Sequence, residues 1–433
     1  MSSQAEQSMP HLNQSHPRIV NPGTDVQQVE STQQSPGDGA GARVKPASLA
    51  KSSRLFFIDH LRAFLIILVI MHHLAITYGA SGTFYYYDTT NALTAGLLTI
   101  LVTIDQAFFM GLFFLISAYF TPGAYDRKGT GPFLRDRLLR LGIPLLIYDI
   151  LIEPFVLYIA AGFPGSYGHF YTNYMLSLRG IGQGPVWFIE ALLFFVVFYA
   201  LWRVCSTWWS HAHPRKTTPT QSITSAYTHP YPTTGEMILF IVGLALLTFV
   251  VRIWFPEDWW FQPLHFNVGY FPQYISLFIV GLIAYRRGWL SKIPDAVGKR
   301  WLWVAVIDLV LFVLLGIWGG GTNHLEYLFG GLHWQAFVYA LWESIMCVSL
   351  CTGLLVFFRK HFNRQGSVWN FLSANAYAAY IFFPVILVSV AYGLHIVTLY
   401  PLLKYGLAVI IAVPCCFALG ALVRMIPYAK RIF

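Results

Sequence analysis

Residues 54–78 read RLFFIDHLRAFLIILVIMHHLAITY. The run is apolar and long enough for a helix to cross a bilayer, which takes about 20 residues. It nevertheless carries Asp59, Arg62, His72 and His73. Ionisable side chains at membrane depth are costly, face a bundle interior or a wet cavity, and mark functional sites. Arg62 and His73 are eleven positions apart, which on an α-helix returns to within about 20° of the same face. Asp59 lies one turn before Arg62 and is placed to pair with it. The spacing therefore predicts a polar stripe of Asp59, Arg62 and His73, ~20 Å long, with His72 about a quarter-turn away.

The rest of the chain reads as the wall around that stripe. Of its 433 residues, 56% are hydrophobic and 11% charged, with a mean hydropathy of +0.56. Soluble domains carry about 25% charged residues, so an ordinary soluble protein is excluded. Ten apolar segments are legible, near 56–79, 95–120, 141–163, 185–203, 236–255, 271–286, 301–319, 333–358, 369–393 and 400–423. No alternating ten-residue pattern suggests a barrel. The expectation is an all-α, multi-pass membrane bundle of about ten transmembrane helices. Residues 1–53, rich in Gln, Ser, Pro and Gly, read as a disordered polar tail. They lack a secretory h-region, so the first spanning helix directs insertion. Residues 54–425 form the membrane domain, and 426–433 a short basic end.

The net charge of +9 is topological. With both termini placed in the cytoplasm, every Lys and Arg except Arg62, Arg179, Arg252 and Lys404 falls on the cytoplasmic side, the positive-inside pattern. The charge thus gives no reason to invoke nucleic acid. The five cysteines sit in apolar stretches without zinc-ligand spacing and read as packing residues. The stretch 121–140 reads as a basic cytoplasmic loop, 206–235 as a polar one, and the Gly-rich outer stretch with His324, Glu326 and His333 as a flexible turn or, alternatively, the lining of a lumenal mouth. There is no phosphate-cradling glycine motif and no internal repeat.

These blocks, in order, resemble the acyltransferase 3 family of membrane proteins, in particular its glucan-succinylating branch. The likeness covers about residues 54–425. It rests on RLFFIDHLRAFLIILVIMHH, MGLFFLISAYF, FLRDRLLRLGIP, GPVWFIEALLFF, YISLFIVGLIAYRRGWL, GLHWQAFVYALWES and ANAYAAYIFFPVIL. The resemblance implies a ten-helix fold and transfer of an acyl group, acetyl included, from acyl-CoA to a hydroxyl of a sugar, lipid or metabolite. By position, His73 matches the catalytic histidine and Arg62 the intramembrane arginine. Arg137 and Arg140 match a basic element near the donor, with Arg135 beside them. Two positions depart from the family: Phe383 stands where many members have a histidine after Tyr-x-x-Tyr, and Ser117-Ala118 where Ser-Gly is usual. If that histidine takes part in the family's chemistry, the first departure implies that the activity here is either altered or carried by His73 alone.

A hydroxyl is a weak nucleophile and needs a base within hydrogen-bond reach. His73 is that candidate on the stripe, since imidazole titrates near neutral pH. Arg62, a permanent cation, is placed to hold donor phosphates, to orient the thioester or to pair with Asp59. Glu190, Glu343 and His72 are read as cavity partners, while Asp105, Asp149, Glu153 and Asp308 are read as pairing across helices. The reading calls for no metal and no bound cofactor; acyl-CoA is a co-substrate, and the surroundings are an endomembrane or plasma-membrane bilayer. Two other classes fit some features. The aromatic content of 17% with a buried acid such as Asp105 suits an isoprenoid cyclase, and a transporter of an acylated product would use the same bundle without chemistry.

Overall fold

The computed structural model describes residues 55–177, 184–213, 229–261, 264, 266–318 and 326–433. The tail reading, Arg179, His324 and the middle of the 206–235 stretch lie outside the described residues. The long helices are α1 (Phe56–Thr77), α2 (Ala92–Lys128), α3 (Thr130–Ala160), α4 (Tyr167–Ser177), α5 (Trp187–Ala212) and α6 (Thr234–Trp254). They continue with α7 (Phe271–Arg287), α8 (Asp295–Trp318), α9 (Trp334–His361), α10 (Ser367–Leu394) and α11 (Pro401–Met425). Among the described residues no strand forms beyond one isolated bridge, Phe261 with Phe266. Nine of the described helices are long and apolar enough to cross a membrane. The segment near 301–319 forms α8, 24 residues long.

Local sequence sets the ends of these helices. The Asn91 side chain caps α2 by accepting from the Thr94 amide at 2.9 Å, and Thr233 with Glu236 forms a capping box on α6. The stretch 121–140 is helical rather than the loop expected from its charge. α2 runs through Pro122 to Lys128, and only Gly129, at φ +73°, interrupts the chain before α3 begins. A left-handed residue costs glycine nothing, and Arg127 and Lys128 suit the negative end of α2. Within α3 the helix loosens into π-turns at Leu138–Gly142 and Tyr148–Ile152, a geometry frequent at functional sites.

α1 is the central post. It packs against α2, α9, α10 and α11, and residues from Phe57 to Ile76 are buried around most of its circumference. A helix that is apolar all round belongs inside a bundle. α2 lies closely along α7 because small residues meet there: a methyl on Gly281 would collide with the Leu115 carbonyl. Such contacts let backbones approach where lipid supplies no hydrophobic drive. Across the same seam Gln273 donates to the Ala107 carbonyl at 2.6 Å. We expect Gly281→Ala to destabilise the protein by about 1–3 kcal/mol through overpacking. Gly243→Ala, where the added methyl meets nothing within 4 Å, leaves the midpoint of a thermal shift assay in detergent unmoved.

Candidate functional site

His73 leaves α1 one turn after Val69, and its Nδ1–H donates to the Val69 carbonyl at 2.8 Å. In the neutral imidazole that bond places the ring proton on Nδ1 and makes Nε2 the nitrogen with the lone pair, the tautomer a general base uses. Phe84 and Phe383 stand with their ring centroids 5.0 Å from the imidazole, and these two rings are nearly parallel to each other. Phe383, the residue in the position where a second histidine was looked for, is thus part of the wall around His73. Phe84 comes from the segment after α1, which the period of the helix could not place.

The neighbouring imidazole has a different setting. His72 is 6% exposed and Asp105 of α2 3% exposed, with Nδ1 and a carboxylate oxygen 3.7 Å apart. Phe109 stacks on His72 at 4.9 Å, and the two histidine rings are 5.3 Å apart. The quarter-turn offset that separates His72 from the stripe therefore turns it into α2, where Asp105 awaits it. The sequence offered no signal for that pairing beyond an acid inside an apolar helix.

A second polar group begins beside the same wall. Tyr85, next to Phe84, meets the Tyr148 hydroxyl at 2.8 Å and donates to Glu153 at 3.0 Å. Tyr174 of α4 donates to the other Glu153 oxygen at 3.3 Å. Burial, and then its tyrosine and glutamate neighbours, pushes the Tyr85 phenol well above its ordinary range, so it stays protonated and donating. Burial and Glu153 act on Tyr174 in the same direction. Asp149 and Glu190 interact electrostatically at the edge of this group. Glu153 and Asp149, read from sequence only as cross-helix partners, are here placed near the site, and Glu190 sits with them.

The arginines gather at the other end of α1. Arg62 is exposed although the residues on either side of it are buried, and it interacts electrostatically with Asp59 and Tyr377. Arg137 interacts with Asp136, Arg140 and Arg62. The Tyr377 hydroxyl donates to the Arg140 carbonyl at 2.6 Å, tying α10 to the first π-turn of α3. Arg140 also lies 3.5 Å from Asp136, and Arg135 is exposed on the same short stretch. Asp59 borders a small hollow with His60, Asn370 and Ser373. Arg62 and His73 are separated by about 16 Å along the helix axis, so a molecule touching both must be extended.

Glu343 is engaged elsewhere. It holds Arg252 at 2.9 Å, with Glu257 at 3.9 Å from the same guanidinium and the rings of Tyr270 and Tyr339 against it. Arg252, counted from sequence among the outside charges, is 1% exposed in the last turn of α6. Lys404, counted with it, makes a buried 2.6 Å pair with Asp88. Among the described residues no group of three His, Cys, Asp or Glu is placed to hold a metal ion.

A family model described as an acyltransferase domain matches residues 55–421. No curated protein and no solved structure matches the chain.

Proposed function

Since the chain belongs to the acyltransferase-domain family and is a multi-pass membrane protein, we propose that it moves an acyl group from acyl-CoA to a hydroxyl acceptor. Membrane-embedded acyl transfer is the family's activity; the donor, the acceptor class and the base are our reading. His73 is the base. Its Nε2 takes the acceptor's hydroxyl proton as the oxygen attacks the thioester carbonyl. The carbon–sulfur bond then breaks, the proton passes to the leaving sulfur, and ester and free CoA result. The acceptor is a sugar, a lipid or a small metabolite.

The observation that supports this reading is the hydrogen bond from His73 Nδ1–H to Val69, which in the neutral imidazole makes Nε2 the basic nitrogen. The basic cluster of Arg62, Arg137 and Arg140 supplies the complementary half. Guanidiniums bind phosphates in a bidentate fashion, and a CoA head group held there would extend its pantetheine arm toward His73. The Lys and Arg distribution puts that head group on the cytoplasmic side. The acceptor would then approach from the opposite side or from the lipid.

The donor half is tested with labelled acyl-CoA and membranes containing the protein. A charge-assisted hydrogen bond contributes ~1.5–3 kcal/mol, so Arg62→Gln and Arg140→Gln are each expected to raise the KM for donor roughly 10–100-fold. Their kcat changes less, since the contact is made before and during transfer alike. An unchanged KM in both variants removes acyl-CoA from the cluster.

A further inference from the structure

A groove of about 1070 Å³ runs between α5 and α7, away from His73. Its wall is apolar and faces outward: Phe198 is 65% exposed, Trp202 61% and Ile279 49%. One end differs in chemistry. Arg203 and Arg286 both reach the Asp126 carboxylate, at 3.0 and 2.6 Å, and Arg203 rests on the rings of Tyr125 and Tyr199. Two guanidiniums on one carboxylate leave a positive excess at the mouth of an oily slot.

We propose that this groove binds one anionic glycerophospholipid, with its phosphate at the Arg203–Arg286 pair and its acyl chains along the aromatic wall. Three observations agree. Charge complementarity selects an anion at the mouth, and guanidiniums suit phosphate oxygens. The wall from Arg286 down to Ile275 spans about 16 Å along α7, close to one leaflet of a hydrocarbon core ~30 Å thick. The basic end falls on the side that the Lys and Arg distribution assigns to the cytoplasm, whose leaflet carries the anionic lipids. The site stands apart from the acyl-transfer reading and does not depend on it.

The pair also provides a clean test. Arg286→Gln leaves Arg203 and Asp126 as a neutral couple, which removes the excess charge of that cluster but neither the slot nor Arg287 beside it. The full chain is reconstituted into nanodiscs of equal phosphatidylserine and phosphatidylcholine, re-extracted in mild detergent and weighed by native mass spectrometry. The expected result is wild-type protein retaining phosphatidylserine about fivefold over phosphatidylcholine, the preference a single extra basic charge near a surface supplies. Arg286→Gln retains lipid without preference. Ile279→Trp, which narrows the slot, retains less lipid, while Leu239→Trp on the exposed face of α6 behaves as wild type. Wild-type protein that holds no lipid, or holds both headgroups equally, overturns the proposal. So does an undiminished preference in Arg286→Gln, or a second copy of the chain that leaves with Ile279→Trp.

Discussion

The His73→Ala protein is expected to lose acyl transfer by roughly 10²–10⁴-fold, the usual contribution of a positioned general base. The loss should fall on kcat and on kcat/KM alike, because proton removal matters only once the hydroxyl begins to attack. The donor KM should stay near its wild-type value, since the basic cluster lies about 16 Å away along α1. This split separates His73 from the arginines, whose variants act mainly on KM. The fold should survive the change: His73 is half-buried, and its ring nitrogen Nδ1 bonds within its own helix, to Val69. The measurement is transfer of labelled acyl groups from acyl-CoA to the cell's own acceptor pool, with a melting curve to confirm folding. A His73→Ala protein that transfers at the wild-type rate ends the proposed role.

The second large effect concerns stability. Arg252→Met is expected to cost about 3–5 kcal/mol, as does the removal of one partner from other buried ion pairs. Glu343, 4% exposed, and Glu257 would lose the cation that compensates them. Burial already raises the Glu257 carboxyl above its ordinary 4.5, and Arg252 opposes that rise. Without Arg252 the rise grows. An acid whose folded pKa exceeds its unfolded value stabilises less as pH climbs past the unfolded value. The defect of Arg252→Met should therefore be greatest at neutral and alkaline pH and shrink toward pH 4.5. The double variant Arg252→Met/Glu343→Met should be less destabilised than the two single effects added together, as expected for contacting residues. Thermal unfolding in detergent across pH measures all of this; additive effects and a flat pH response would show that the pair is not coupled.

The one-dimensional pattern legibly fixes the architecture. Runs of about 20 apolar residues have few other ways to satisfy their backbone than as membrane helices, and nine of the ten segments read from the sequence correspond to described helices long and apolar enough to cross a membrane, the one near 301–319 not being among them. Residues 121–140 read as a loop because they lie between two apolar runs, but charge only excludes the hydrocarbon core, and helix continues through the stretch on both sides of Gly129. Arg252 and Lys404 show a second limit: counting charges by side of the membrane does not reveal which of them are buried against an acidic partner.

For the candidate site, the sequence by itself determined what one helix can determine. The 3.6-residue period put Asp59, Arg62 and His73 along a common stripe and turned His72 away from it, because those relations depend only on positions within α1. Everything that required a second element was decided by tertiary structure. Asp105 beside His72, Phe84 and Phe383 around His73, the Tyr85–Glu153–Tyr174 group, and Glu343 turned toward Arg252 all involve residues outside α1. Side-chain spacing is periodic within a helix, but which faces meet is set by how close-packed helices fit against one another, and that fit is a property of the whole bundle.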